Sequence, residues 1–510
     1  MESASAAAPR PTGPSEPSEH GLKANAIGLG SGVAIGVDSV APAYSLAAVI
    51  AALVVAAGVQ APAIMLLAFV PMVCVAAAYY YMNRVDPDCG TTFAWVTRAM
   101  GPTLGWIAGW SIVMAGIIVI GSLADVASLY TFLLFDWTAA AESKLAVTAL
   151  AVFYIALMAA VAVRGIEPSA RLQLGLITAQ VLALVIFAIA ALLAEAPAGS
   201  DFTSVAPTAA WFSPFATEGG LSAVTAGLLV AIFIYWGWDS AVAVNEESRD
   251  SHTGPGTAAL VSTVVLLLLY LLTSTALVHY AGPGVFEEFL DDTAIFDTIA
   301  ADVLGSPWDK IVALAVLTSA LAATQTTILP SSRTSLSMAR YGALPRAFGE
   351  IHPRFQTPAR GTILITVAAI VFYVLFNLLS QNFLFDAISA LGFLIAINYG
   401  LNGLACAVYH RRELGGSLRN LVFVGIAPLI GAVIFGFIFI KAAIDYANPE
   451  NSYLGQAWLG IGPPAVIGVG LVILGAVLTI VLRGPYRDYF ARRAEVAEPG
   501  SIAGIPRTGV

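Results

Sequence analysis

Twelve long apolar segments, set apart by short polar stretches, run through the chain. They fall at about residues 27–57, 62–82, 102–132, 145–163, 168–194 and 219–245, then 256–281, 311–338, 361–380, 384–409, 420–444 and 463–482. A helix needs about 20 mostly apolar residues to cross the hydrocarbon core of a bilayer. These segments reach that length, and none shows the ten-residue alternation of a membrane-barrel strand. The pattern predicts an all-α polytopic membrane protein with twelve transmembrane helices over 27–482. Residues 1–26 are small, polar and Pro-rich and read as a disordered cytoplasmic tail, without the short apolar run of a signal peptide. Residues 483–510 read as a second cytoplasmic tail of the same kind.

Two segments are interrupted. In the first, Gly36 and Pro42 bracket the polar pair Asp38 and Ser39. In the sixth, Gly237 and Asp239 sit among Phe233, Tyr235, Trp236 and Trp238. These positions correspond if residues 27–194 and 219–409 form two five-helix repeats, with 420–482 as two added helices. Interrupted helices at matching positions of two halves point to an inverted-repeat secondary transporter that holds its substrate at the breaks. An unwound stretch leaves backbone N–H and C=O groups that a ligand, an ion or water must satisfy. The half-helix beginning near Tyr44 aims its positive end at the break and suits a carboxylate. Carbonyls ending the preceding half-helices suit an ammonium or a cation. The plainer alternative is a proline kink in the first helix and an Asp239 that only caps a half-helix.

Composition narrows the class. The chain is 58% hydrophobic and 11% charged, against about 25% charged in an ordinary soluble domain, which excludes a soluble enzyme of the usual kind. Its 23 basic and 32 acidic residues leave no electrostatic footprint for nucleic acid. Of the basic residues only Lys144, Lys310 and Lys441 fall on one side of the twelve-segment layout, and the rest fall on the other. By the positive-inside rule both termini are cytoplasmic and the protein is a multi-pass component of the cell (inner) membrane. Cys74, Cys89 and Cys406 and the five histidines show no metal-ligand spacing and read as structural, so neither a metal nor a cofactor is expected.

Four acids lie within or at the edge of the apolar segments: Asp38, Asp125, Asp239 and Asp386. An acid at mid-membrane costs roughly 2.5–3.5 kcal/mol on insertion scales, so it usually has a function or a partner. No basic residue lies deep enough to pair with them. Asp125 reads as part of a solvated outer vestibule and Asp386 as a helix N-cap. Asp38 and Asp239 fall in the breaks and suggest an anionic site for a substrate amino group, with either acid as proton carrier in symport. Sodium is the alternative coupling ion. Thr318, Ser319, Thr324, Thr326 and Thr327 on the eighth helix could face such an ion, or bond their own i−4 carbonyls. The acidic outer loop 282–309 reads either as a short helical lid or as a solvated loop.

Several stretches resemble the amino acid–polyamine–organocation permeases. The run N-R-V-D-P-D-C-G-T-T-F-A-W from Asn83, followed by Gly105-Trp106 and Gly109-Trp110, is similar to that family's second cytoplasmic loop. Phe233-x-Tyr235-x-Gly237-Trp238-Asp239, with Glu246-Glu247 beyond, is similar to its helix 6 motif. Arg333 and the run Met338-Ala339-Arg340-Tyr341-Gly342-Ala343-Leu344-Pro345 resemble the stretch after its helix 8, and Ser169-Ala170-Arg171-Leu172-Gln173 resembles the opening of its helix 5. The resemblance implies a leucine-transporter-like fold, with five-plus-five inverted repeats and two further helices. It also implies alternating access for amino acids or related amines. Carried over, Val37, Asp38, Ser39, Val40, Ala41 and Pro42 fall where the backbone binds the substrate head group. Tyr235, Trp236, Gly237 and Trp238 fall in the second break. Phe233 falls at an aromatic gate, and Asp239 where many members have a gating or coupling acid. The family's usual helix 1 motif, close to I-G-x-G-I-F, is absent. Gln180 stands where some proton-coupled relatives carry a lysine in place of a sodium ion, and a glutamine cannot carry that charge.

Two anionic positions favour polyamines or cationic amino acids as the alternative substrate class, by import or exchange. A polytopic membrane enzyme would need a catalytic constellation at one face, and His279 and His352 fall on opposite sides. A channel would need pore-lining rings. A non-transporting sensor would bind substrate without accumulating it.

Overall fold

In hydrocarbon every backbone N–H and C=O must be bonded within its own segment, so long apolar runs become helices. The computed structural model describes residues 21–290, 295–379, 383–452, 457–497 and 501. Its main helices, in chain order, are α1 (Leu29–Val40), α2 (Pro42–Ala57), α3 (Ala61–Val85), α4 (Thr92–Met100), α5 (Pro102–Leu134), α6 (Lys144–Arg164) and α7 (Ile166–Leu193). There follow α8 (Gly220–Phe233), α9 (Ser240–Ala243), α10 (Gly254–Ala281), α11 (Ile295–Leu304), α12 (Lys310–Arg340), α13 (Ala359–Leu379) and α14 (Phe383–Tyr409). The last are α15 (Leu418–Asp445), α16 (Pro463–Val481) and the short α17 (Arg487–Phe490). The described residues contain no strand, only the isolated bridges Ile27–Ser248 and Trp458–Ile461. Ten stretches are long and apolar enough to cross a membrane, and the first, Leu29–Val85, takes in α1, α2 and α3.

The helices sort into an inner and an outer set. Of the most apolar window of α12, 78% is buried within the protein, against 28% for α16. A helix buried on all sides needs small residues where backbones meet. On α5, a Cβ at Gly116 would lie 2.1 Å from Ser331 Oγ of α12, so α5 and α12 pack along each other at close range.

The first break is narrower than expected. α1 stays helical through Val40, so Val37, Asp38 and Ser39 are helical and only Ala41 leaves the helix, at φ +52°. Pro42 is the cause. It has no N–H to give the Asp38 carbonyl, which instead accepts from the Ala41 N–H at 3.1 Å. The second break is wider: α8 ends at Phe233, and Ile234–Asp239 form turns before the four-residue α9.

The described ends of both tails pack against the helices. Residues 1–20 lie outside the described residues, but Leu22 is buried with Cys89 and Leu336, and Lys23 pairs with Glu167 at 2.9 Å. At the other end, Tyr489 is buried and stacks on Phe93, and its hydroxyl donates to the Pro102 carbonyl at 2.8 Å. The Glu495 N–H donates to the Arg98 carbonyl at 2.6 Å, and the Ala497 N–H to that of Tyr409 at 3.0 Å. Aromatic residues within a polar sequence supply the burial that a disordered tail lacks. In the acidic outer loop the helical alternative prevails: α11 buries Ile295, Phe296 and Ile299. Asp291 and Asp292 lie outside the described residues.

Candidate functional site

The two interrupted helices touch at their breaks. Gly237 adopts φ +123°, and a Cβ there would lie 2.6 Å from the Ser39 carbonyl oxygen and 2.8 Å from its carbon. Ser39 and Ser240 share a hydroxyl hydrogen bond of 2.7 Å. Gly36 does not unwind α1. It permits close approach, since its Cβ would meet Ser262 Oγ at 2.4 Å and the Trp238 carbonyl at 3.2 Å. The start of α2 is tied as well: the Tyr44 N–H donates to Ser319 Oγ at 3.4 Å. Of the α12 hydroxyls, those of Thr318, Thr324 and Thr326 turn back to carbonyls one turn earlier, the local bonding that such residues favour in membrane helices. Ser319 is the one that reaches the break.

The two buried acids have different surroundings. Asp38 is fully buried and accepts from Gln180 Nε2 through Oδ1, while Oδ2 has no hydrogen-bond partner among the described residues. Asp239 occupies the N-cap position of α9 but does not cap it. Its carboxylate faces two tyrosines instead, Tyr399 at 2.8 Å and Tyr79 at 3.3 Å. Tyr79 also faces Asn398 Oδ1 at 3.1 Å. A phenol has one proton, so it serves one of these acceptors at a time. Trp238 packs between the same two tyrosine rings.

The other expected residues scatter. Tyr235 points toward α3, where its hydroxyl donates to the Met65 carbonyl at 3.2 Å. Trp236 is half-buried against the core. Phe233 lines a cavity of about 70 Å³ with Ala48, Leu229, Gly392 and Tyr446. That is room for water but not for an amino acid, since small-molecule pockets run to about 300 Å³ and more. Val37, Val40, Ala41 and Pro42 are buried at the crossing. The sequence reading missed Tyr79, Tyr399, Asn398 and Ser240, because nothing in their own segments marks them. Asp125 is met by Tyr373 and by Asn377 at 3.5 Å. Asp386 is buried and accepts from Ser452 at 2.7 Å.

A second polar cluster lies toward the arginine-rich end, where three separate sequence motifs converge. Arg333 is buried within α12 and donates twice to Glu247, at 2.6 and 2.9 Å. Arg340 donates to both oxygens of Glu246 at 3.0 Å. Ser337 and the Gly90 N–H both donate to Asp88 Oδ1 at 2.7 Å, and Asn245 donates to Asn83 at 2.7 Å. Asp88, Cys89 and Glu246 bring candidate ligand atoms within 4.8 Å of one another, but Arg340 already sets a cation against Glu246.

Asp86 lies at the rim of this cluster, just beyond α3. Burial first, and then the neighbouring Asp88, push its carboxyl up to about 7, against the pull of Arg98 at 3.1 Å. An unfolded Asp titrates near 4. The folded protein therefore holds a proton there that the unfolded chain releases between about pH 4 and 7. Stability from this group is full below that range and is lost as the pH rises through 7. The expected result is a lower unfolding temperature at pH 8 than at pH 5 for the detergent-solubilised protein, with a smaller difference in Asp86→Asn. An undiminished difference in the variant would assign the slope to other groups.

The model of the amino acid permease family matches residues 26–470. A branched-chain amino acid permease of Lactococcus lactis subsp. cremoris is 24% identical over 382 residues, 73% of this chain and 79% of the relative. A low-affinity putrescine importer of Escherichia coli is 22% identical over 78% of this chain and 82% of its own. A methylthioribose transporter of Bacillus subtilis is 24% identical over 77% and 82% respectively.

Proposed function

The chain belongs to the amino acid permease family, and on that premise we propose that it moves amino acids or related amines by proton-coupled symport and alternating access. The site of transport is the crossing of the two breaks. The observation that carries this reading is the backbone contact of Gly237 with Ser39, bridged by Ser39 and Ser240. Two interrupted helices that meet at backbone range offer carbonyl and N–H groups to one small ligand. The layout we adopt has twelve spans, two five-helix inverted repeats and both termini in the cytoplasm of a cell whose plasma membrane holds the protein.

In this reading Asp38 is the proton carrier. It is buried beside a neutral amide, with one oxygen unpaired. An uncompensated charge at that depth is costly, so a proton or a substrate cation must accompany it. Asp239 has a tyrosine hydroxyl at each oxygen, which suits a positioning role that holds the second break against α3 and α14. Phe233 gates the outer side, Trp238 holds the second break against Tyr79 and Tyr399, and Gln180 orients Asp38.

The test is uptake into proteoliposomes of a labelled panel: neutral, cationic and acidic amino acids, and putrescine, with and without imposed proton and sodium gradients. Wild type should accumulate one class under an inward proton gradient. Asp38→Asn should lose that gradient-driven accumulation and fall to its level without a gradient. Accumulation of the same substrate by Asp38→Asn, still dependent on pH, would remove Asp38 from coupling; dependence on sodium alone would replace the proton. The second reading is an importer or exchanger of polyamines or cationic amino acids. The unpaired Asp38 oxygen supports it, because a substrate with a second ammonium would satisfy that oxygen.

A further inference from the structure

A groove of about 480 Å³ opens between α6 and α13, away from the crossing helices. Its floor is apolar and small on one side, with Ala156, Ala159 and Ala160, and branched on the other, with Ile363 and Val367. Ile363 and Val367 are each 52% exposed. The one hydroxyl in the lining, on Thr366, is spent on the Thr362 carbonyl. Two guanidinium groups stand at one end. Arg164 ends α6 and lines the groove itself. Arg354 rests over the ring of Phe355, another lining residue, at 5.6 Å from its centroid. The nearby acids are already engaged, Glu350 by Arg360 and Glu167 by Lys23, and neither Arg164 nor Arg354 has a salt-bridge partner among the described residues.

We propose that this groove is a binding site for an anionic phospholipid, with an acyl chain between α6 and α13 and the phosphate on Arg164 and Arg354. The charge pattern selects this occupant. Any apolar groove in a bilayer is filled by a chain, but a cationic mouth prefers a headgroup with net negative charge. A second copy of this chain fits less well. A twofold contact brings the same patch together from both subunits, so these arginines would face their own copies. The proposal rests on the transport reading only for orientation, which puts the arginines at the cytoplasmic leaflet.

The experiment is native mass spectrometry of the full-length protein released from vesicles of equal phosphatidylglycerol and phosphatidylcholine. Each basic residue near an anionic headgroup contributes about a fivefold preference. Wild type should retain phosphatidylglycerol over phosphatidylcholine, and Arg164→Gln with Arg354→Gln should lose most of that preference. Ala160→Phe, which fills the groove and leaves both arginines, should lower retention of phosphatidylglycerol as well. Equal retention of the two lipids by wild type, or full selectivity in the double arginine variant, overturns the proposal. So does efficient crosslinking of Ala156→Cys into dimers in the membrane, which would assign the groove to a second copy. Lipid retention is read without transport, so its failure and the failure of the transport reading are separable.

Discussion

Gly237→Ala is expected to abolish uptake and to lower the yield of folded protein, although the change adds a single methyl group. Gly237 holds φ at +123°, a region that an L side chain rarely enters. The added Cβ would lie 2.6 Å from the Ser39 oxygen, 2.8 Å from its carbonyl carbon and 3.1 Å from the Val40 nitrogen. All three are backbone atoms of α1, so no side-chain rotation relieves the contact. Backbone strain alone costs about 1–3 kcal/mol, and overpacking adds about as much. The only escape is to part the two breaks, which dissolves the proposed site. Uptake should fall roughly a hundredfold or more, since each 1.4 kcal/mol is a factor of ten. Gly175→Ala on α7 is the control, because nothing lies within 4 Å of its would-be Cβ. Unchanged uptake in Gly237→Ala would mean that the breaks do not meet as described.

Arg333→Met is expected to destabilise the protein strongly, and Glu247→Leu to do the same, while the two together recover most of the loss. The pair is fully buried and joined by two hydrogen bonds. Removing either partner leaves the other charge without compensation, at about 3–5 kcal/mol. Removing both leaves apolar side chains of similar volume, and such replacements of a buried ion pair are often neutral or stabilising. The measurement is the unfolding midpoint of the detergent-solubilised protein for the two single variants and the double. Losses that simply add in the double would show that the pair is not coupled.

Much of this protein follows from its pattern of apolar residues alone. The expected segments 145–163, 168–194 and 463–482 differ by two residues or fewer at either end from α6, α7 and α16. A bilayer imposes helix length and forbids unpaired backbone, so composition and length locate the helices without reference to their neighbours. The interruption around Gly237 was legible from the acid and glycine set among aromatic residues in mid-segment, since an acid at that depth needs a function or a partner. The width of the first break was not legible. Whether Gly36 unwinds α1 or lets Ser262 and the Trp238 carbonyl come close depends on what lies opposite.

Tertiary structure decided the partners. Asp38 meets Gln180 across 142 residues, and Asp239 meets Tyr79 and Tyr399, each 160 residues away. Arg333 falls near the end of the apolar segment 311–338 with nothing in sequence to name a partner, and the fold buries it against Glu247. The aromatic residues of the C-terminal segment look like scattered exceptions in a polar tail until Tyr489 is placed on Phe93. Periodicity reports the burial of a face, averaged over a helix. A hydrogen bond between two side chains depends on the position of one atom relative to another, and only the packed bundle sets that position. The sequence by itself thus determined the class, the long apolar helices and the place of the second interruption, because the solvent dictates them. The identity of the groups that meet at the crossing was decided by the fold, because close helix packing through small residues brings distant polar atoms within bonding range.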